Sequence, residues 1–179
     1  MVDDRALFDL YQYFLFASDL RERADKYEPP PRRALLRREV ATAVILRAMN
    51  ERVWAASLYA VVEGWNGLKL NVPCAWEGRE NAAELSLSQA QINALLASPT
   101  GKRTVRKSGG PDVDETFEDL LRHVRNKVFH FEPSRRHDHV GRFAREAWDA
   151  PRRWPQQLHE AFRVFFVRWA RSHRQLQRH

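Results

Sequence analysis

The chain is poor in cysteine and glycine, and it contains no long apolar run. Cys74 is the only cysteine among 179 residues, so an intrachain disulfide and a cysteine-based zinc site are both excluded. No apolar segment approaches the roughly 18 residues that a membrane-spanning helix requires, and the acidic start from Met1 to Asp4 does not resemble a secretory signal. We therefore expect a soluble, cytoplasmic protein with no membrane partner.

The distribution of helix-breaking residues predicts one all-α domain. There are only seven glycines, and most of the nine prolines lie at segment ends, as in packed helices joined by short loops. A chain of this length can bury a core of its own, so we treat residues 1–179 as a single domain. No segment alternates convincingly enough to predict a strand. The expected fold is an antiparallel helical bundle with four core helices and short extra helices.

Apolar spacing and capping patterns give the helix boundaries. Ser86 with Gln89, or Ser88 with Gln91, can form one capping box, and Asp112 with Glu115 can form another. The predicted helices cover residues 3–26, about 33–65, about 86–97, 112 to about 133, about 140–149, and a last helix introduced by Pro151 and Pro155.

The net charge of +7 favours an anionic partner such as RNA, DNA or an acidic protein. Residues 98–111 have little to bury, and we predict that they form a mobile basic loop. Such a loop could guide a nucleic-acid backbone, or it could be a solvated linker. Its basic side chains, which are the candidates for substrate binding, are Lys102, Arg103, Arg106 and Lys107.

The stretch from Arg125 to His130, with the sequence Arg-Asn-Lys-Val-Phe-His, lies near the end of a predicted helix. An arginine can clamp a phosphate with two parallel N–H bonds, a histidine can move a proton near neutral pH, and Asn126 can orient either of them. These are the groups that cleavage of a phosphodiester needs. The simpler alternative is that Arg, Lys and His at the C-terminal end of a helix only stabilise it through the helix dipole.

The faces of this motif helix also suggest a second chain. At about 100° per residue, one stripe forms the core face and comprises Phe117, Leu121, Val124, Val128 and Phe131. Arg122, Asn126 and Phe129 cluster on the opposite side. An aromatic residue among polar groups predicts a second buried surface, of which the simplest is the same helix of another subunit. The basic loop or the last helix of the same chain could cover Phe129 instead.

The stretch Arg125 to His130 resembles the Arg-polar-x-x-x-His signature of the HEPN superfamily (higher eukaryotes and prokaryotes nucleotide-binding), whose members are helical bundles. The long helix that ends in Tyr59-Ala-Val-Val-Glu-Gly-Trp-Asn-Gly-Leu68 is similar to a bacterial subgroup in which a Glu-Gly-aromatic helix end precedes the Arg-Asn helix. Together these two helices cover about a quarter of the chain.

The resemblance implies a metal-independent endoribonuclease that acts as a homodimer through the motif helix and needs no cofactor. His130 would be the general acid or base, Arg125 would stabilise charge on the phosphate, and Asn126 would position His130 or the phosphate. Lys127 and Arg122 would hold the RNA backbone. Toxins held inactive by a nucleotidyltransferase-type antitoxin occur in the superfamily, so a toxin or defence role is one expectation.

Two alternatives stay open, because many members of the superfamily keep only the bundle. One is a non-catalytic module that binds a nucleotide, a nucleic acid or a protein. The other is an interaction subunit whose Phe129 face docks a different protein.

Glu63, Trp65 and the histidines outside the motif each have a functional and a structural interpretation. Glu63, at the end of an apolar helix, could approach the motif helix and pair with Arg125 or His130 in a functional site. It could instead be a surface carboxylate, or an ion-pair partner that only fixes the arginine rotamer. Trp65 could stack on a base or belong to the core. His137-Asp138-His139 could ligate a metal, but three adjacent residues cannot all face one ion from a regular helix, so a solvated turn is favoured and no metal site is predicted. His159 is expected to be a surface or partly buried residue.

Overall fold

In the computed structural model, the described residues are 3–27, 37–97, 102–106, 112–116, 121, 122, 124–126, 128 and 154–176. They form helices α1 (Asp4–Lys26), α2 (Arg37–Gly67) and α3 (Ala82–Ala97), strands β1 (Lys102–Arg106) and β2 (Asp112–Thr116), and helix α5 (Trp154–Leu176). Helix α4 is described at residues 121, 122, 124–126 and 128. The all-α helical bundle predicted from the sequence is confirmed, with one β-hairpin added to it.

Helices α1 and α2 pack in antiparallel fashion. Helix α1 begins at its cap Asp3, whose carboxylate accepts a hydrogen bond from the Arg5 amide at 2.9 Å. Leu10 near the start of α1 lies against Gly64 near the end of α2, while Arg21 near the end of α1 lies over the ring of Trp54. The two helices therefore run in opposite directions along their whole contact.

Helix α5 supplies the aromatic centre of the bundle. Its buried side chains meet rings from both α1 and α2, because its apolar stripe is broad enough to face two neighbours. Phe14 stacks on Phe166 with ring centroids 5.1 Å apart, and Trp65 meets Phe165 edge-on at 4.9 Å. At the first residue of α5, the indole of Trp154 donates to the carbonyl of Leu95 in α3 at 2.9 Å. The described residues include no helix long and apolar enough to cross a membrane.

Strands β1 and β2 correct the prediction for residues 98–116. Residues 102–106 are a strand, whereas a mobile loop was predicted, and the capping box of Asp112 and Glu115 lies in β2 and does not start a helix. The antiparallel register pairs Arg103 with Glu115 and Arg106 with Asp112. In this backbone register, the acidic run of β2 is the partner of the basic run of β1.

The start of α3 also differs from the prediction. The helix begins at Ala82, and the carbonyl of Asn81 accepts the Leu85 amide at 3.0 Å. Ser88 and Gln89 lie inside the helix and are buried, so neither predicted capping box exists. Gln89 instead accepts the Trp76 indole N–H at 3.1 Å and donates to the carbonyls of Leu70 and Val72. The buried indole N–H and backbone carbonyls beside Gln89 need hydrogen-bond partners, which explains why a polar residue lies inside this helix.

The end of α2 is fixed by a C-cap without a left-handed glycine. Lys69 has φ of 58°, the Leu70 amide donates to the Trp65 carbonyl at 3.0 Å, and the Lys69 amide donates to the Asn66 carbonyl at 2.9 Å. This pair of bonds is the Schellman motif, which satisfies the last carbonyls of a helix. The cap holds the last turn of α2 in place, and with it Glu63.

Candidate active site

Helix α4 presents an inner and an outer face, as its sequence predicts. Leu121 and Val124 are buried, and Val128 packs half-buried against the core. On the outer face, Arg122 and Asn126 are exposed and Arg125 is half-buried. The helix is therefore anchored by its apolar stripe while its polar residues reach solvent. Phe117, Phe129 and Phe131 lie outside the described residues.

Arg125 lies between a carboxylate and an amide. Its Nη2 atom is 3.8 Å from Oε2 of Glu63, and its Nη1 atom donates to Oδ1 of Asn126 at 3.1 Å. The expected approach of Glu63 to the motif helix is thus present, and Arg125 is the partner. The side chains of Arg125 and Glu63 are 38% and 46% exposed. A guanidinium with its orientation set by two neighbours, but still open to solvent, can donate hydrogen bonds to the oxygens of a phosphate.

Asn126 contacts Arg125, which is one of the two residues that the sequence suggests it can orient. Its side-chain oxygen accepts a hydrogen bond from Arg125, so in this structure it orients the arginine. Glu63 and Asn126 come from different helices, and together they limit the rotamers of Arg125 from two directions.

Trp65 belongs to the core. Its side chain is fully buried, its indole N–H donates to Oδ1 of Asn93 at 2.9 Å, and its ring meets those of Phe162 and Phe165. The expectation that Trp65 stacks on a base is therefore wrong. Its neighbour Glu63 points outward, because side chains two positions apart on a helix lie on different faces.

The other predicted site residues lie in three places. Arg122 is exposed on α4. Lys102, Arg103 and Arg106 are in β1, where the backbone register is described. Lys107, Lys127, His130 and the stretch from His137 to His139 lie outside the described residues. Within the described part of the chain, no group of three or more His, Cys, Asp or Glu side chains could hold a metal ion.

His159 lies in an environment that its sequence position did not reveal. The Trp54 indole donates to its Nδ1 atom at 3.2 Å, and its ring centroid is 5.0 Å from that of Phe14. Burial lowers the pKa of His159 to about 4, and the positive charge of Arg21 contributes to the same shift. Trp54 and His159 are far apart in sequence, so only the packing of α2 on α5 brings them together.

No family model, curated protein or solved structure significantly matches this chain.

Proposed function

We propose that this protein is a metal-independent endoribonuclease of the HEPN type, working as a homodimer with a composite site formed by paired motif helices. The observation that carries the proposal is the half-buried but solvent-accessible guanidinium of Arg125, which Glu63 and Asn126 orient on the outer side of α4. The net charge of +7 supports a polyanionic substrate.

In the proposed reaction, the ribose 2′-oxygen attacks the adjacent phosphorus and the 5′-oxygen leaves, which gives a 2′,3′-cyclic phosphate and a free 5′-hydroxyl. His130 transfers a proton, either from the attacking hydroxyl or to the leaving oxygen. Arg125 stabilises the negative charge that grows on the non-bridging oxygens. Lys127 and Arg122 hold the backbone on either side of the scissile bond.

The first experiment incubates the wild-type protein, Arg125→Ala and His130→Ala with a mixed RNA pool in excess EDTA, and examines the products for cyclic phosphate ends. Cleavage by wild type alone is the expected result. The control is Arg23→Ala, which removes an exposed arginine of α1 that pairs with Asp19 and should cleave like wild type. Equal cleavage by all four proteins would reveal a contaminating nuclease and contradict the proposal.

A mixing experiment tests the composite site. If Arg125 of one protomer works with His130 of the other, a heterodimer of the two inactive variants holds one intact site, and an exchanged equimolar mixture should regain about a quarter of wild-type activity. No recovery after confirmed subunit exchange would place both residues of a site in one protomer, and a monomeric wild type would exclude the dimer.

A second candidate is a non-catalytic module that binds RNA through the same face. The ion pair between Glu63 and Arg125 favours it over catalysis, because the neighbouring carboxylate leaves the arginine less positive charge with which to stabilise a transition state. This candidate predicts salt-sensitive binding without any product, and binding that survives His130→Ala.

A further inference from the structure

Helix α1 carries large aromatic side chains that face solvent. Tyr13 is 60% exposed, Phe16 is 54% exposed and Tyr27 is 38% exposed. Rings of this size belong mainly to protein cores and interfaces, because each removes a large apolar area from water when it is covered. Several of them on one side of a helix therefore indicate a contact with another protein.

The exposed rings belong to a regular seam along one side of α1. Its residues follow one another at alternating intervals of four and three positions, the spacing with which two helices pair as a coiled coil. We call it the Phe16 seam, and it comprises Asp9, Tyr13, Phe16, Leu20, Arg23 and Tyr27. All of these residues except Leu20 are exposed. Helix α1 has 23 residues, so it is about 34 Å long and can present three heptads to a partner.

The seam is self-complementary when its direction is reversed about Phe16. Asp9 precedes Phe16 by seven positions and Arg23 follows it by seven. In an antiparallel pair with its two-fold axis at Phe16, the two phenyl rings meet and each Asp9 faces Arg23 of the second copy. The same register brings Arg5, eleven positions before the axis, to the ring of Tyr27, eleven positions after it. A parallel pair would instead set like charges against each other, which opposes pairing.

The two charges of the seam can take partners from a second copy. Among the described residues, the exposed Asp9 has no ion-pair partner. Arg23 pairs with Asp19 through Nη2 at 2.8 Å, but its side chain is 59% exposed. Because a guanidinium has five N–H donors, Arg23 can also take a second carboxylate. The two-fold symmetry makes this contact twice in each pair.

We infer that the Phe16 seam is a contact between two copies of this chain, with their α1 helices antiparallel and Phe16 at the two-fold axis. A second copy supplies the matching order of base, ring and acid by symmetry. The inference does not rest on ribonuclease activity, because the seam contains none of the residues proposed to cleave or hold RNA. It is also a contact separate from the proposed pairing of the motif helices.

Sedimentation of the purified full-length protein tests the contact. Wild type should form a dimer or a larger assembly, and Phe16→Glu should have at most half of that mass, because it places two carboxylates together at the axis. Leu15→Glu is the matched control. Leu15 is 47% exposed but lies about 100° away around the helix, so this variant should keep the wild-type mass. A monomeric wild type would overturn the inference and leave the seam to a different protein. Equal masses for the two variants would overturn it too.

Exchanging the charges tests the antiparallel register. Asp9→Arg sets two arginines against each other at both symmetric places, and Arg23→Asp does the same with two aspartates, so each variant should weaken self-association by at least about tenfold. The double variant restores opposite charges and should recover most of the loss. Single variants that associate like wild type would contradict the register. A double variant that does not recover, although both single variants fold by circular dichroism, would contradict it as well.

A cross-link locates the axis directly. The native thiol is first removed by Cys74→Ser. In that background Phe16→Cys should oxidise to a covalent dimer, because a two-fold axis at this position brings the two Cβ atoms within the roughly 3.5–4.5 Å that a disulfide needs. Leu15→Cys should stay monomeric on a non-reducing gel. Cross-linking of both variants in equal yield would show random collision and would exclude an axis at Phe16.

Discussion

Gly64 lies so close to Leu10 that a Cβ atom at position 64 would be 2.5 Å from the Leu10 Cδ1 atom. Leu10 is buried at 4% exposure, so the contact marks a close approach of α1 to α2 near the candidate site. This explains the small residue between Glu63 and Trp65. A side chain at position 64 would force Leu10 out of its present rotamer or push the two helices apart. The contact lies where Glu63 faces Arg125 and Trp65 enters the core.

We predict that Gly64→Ala lowers the free energy of unfolding by up to about 2 kcal/mol. Overpacking against Leu10 costs about 1–3 kcal/mol, and the better helix propensity of alanine returns about 1 kcal/mol. Urea denaturation followed by circular dichroism measures the change. Gly67→Ala is the matched control, because position 67 is also in α2 but a Cβ added there would meet no described atom within 4 Å, and it should be neutral or slightly stabilising.

A second variant background shows whether contact with Leu10 or helix propensity causes the loss of stability. In Leu10→Ala the obstructing atoms are gone, so adding Gly64→Ala there should be neutral or stabilising. An equally large loss in both backgrounds would show that Leu10 is not the reason for the glycine.

Trp65→Phe should destabilise the fold and leave RNA binding unchanged. The variant removes part of a fully buried ring and leaves Oδ1 of Asn93 without its indole donor, for an expected loss of about 1–3 kcal/mol in the free energy of unfolding. Denaturation and RNA titration of the same sample separate the two effects. A variant with normal stability but weaker RNA binding would return Trp65 to the role of a stacking platform.

The sequence predicted the helices that carry a regular apolar period. α1 and α5 have clear stripes and end where breakers or polar runs begin, so residues 3–26 were predicted almost as found. The inner and outer faces of α4 were also predictable, since Leu121 and Val124 repeat at helical spacing. The contact between Glu63 and Arg125 could be predicted from the sequence, because both residues lie near helix ends and a bundle can bring such ends together.

The remaining features depend on tertiary contacts that a local pattern does not contain. Strand β1 forms because the backbone of β2 pairs with it, and a basic segment by itself gives no signal of such a partner. Gln89 looked like a capping residue because its buried partners Trp76 and Leu70 are distant in sequence. The contact between Trp54 and His159 depends on the packing of α2 on α5, so no single segment indicates it.

Glu63→Gln should tighten RNA binding by about two- to fivefold. The carboxylate lies 3.8 Å from the guanidinium that is proposed to hold a phosphate, so removing its charge lowers the repulsion of the ligand by about 0.5–1 kcal/mol after solvent screening. Stability should change by less than about 0.5 kcal/mol, because the pair is half exposed. Fluorescence anisotropy with a labelled RNA measures the affinity.

Asp19→Asn provides the comparison for this change. Asp19 forms a similar exposed pair with Arg23 at 2.8 Å on α1, so its removal alters the net charge equally without touching Arg125. If Asp19→Asn and Glu63→Gln tighten RNA binding equally, the net charge of the protein sets the affinity. A local effect of Glu63 on Arg125 would then be excluded.

The buried imidazole of His159 should make the fold sensitive to mild acid. Its pKa is about 4 in the folded protein against an ordinary value of 6.5, so between these values the unfolded chain binds more protons. Stability therefore rises with pH across this window, is fully present above about 6.5, and is lost as the pH falls toward 4. The shift corresponds to at most about 3 kcal/mol.

His159→Gln tests this origin, because glutamine can still accept the Trp54 indole N–H but does not titrate. Urea denaturation of both proteins between about pH 4 and pH 7 should give wild type the steeper dependence, with a difference approaching about 2–3 kcal/mol across the range. Carboxylates elsewhere titrate in both proteins and cancel in the comparison. Parallel stability curves would show that His159 protonates as readily in the folded state as in the unfolded one.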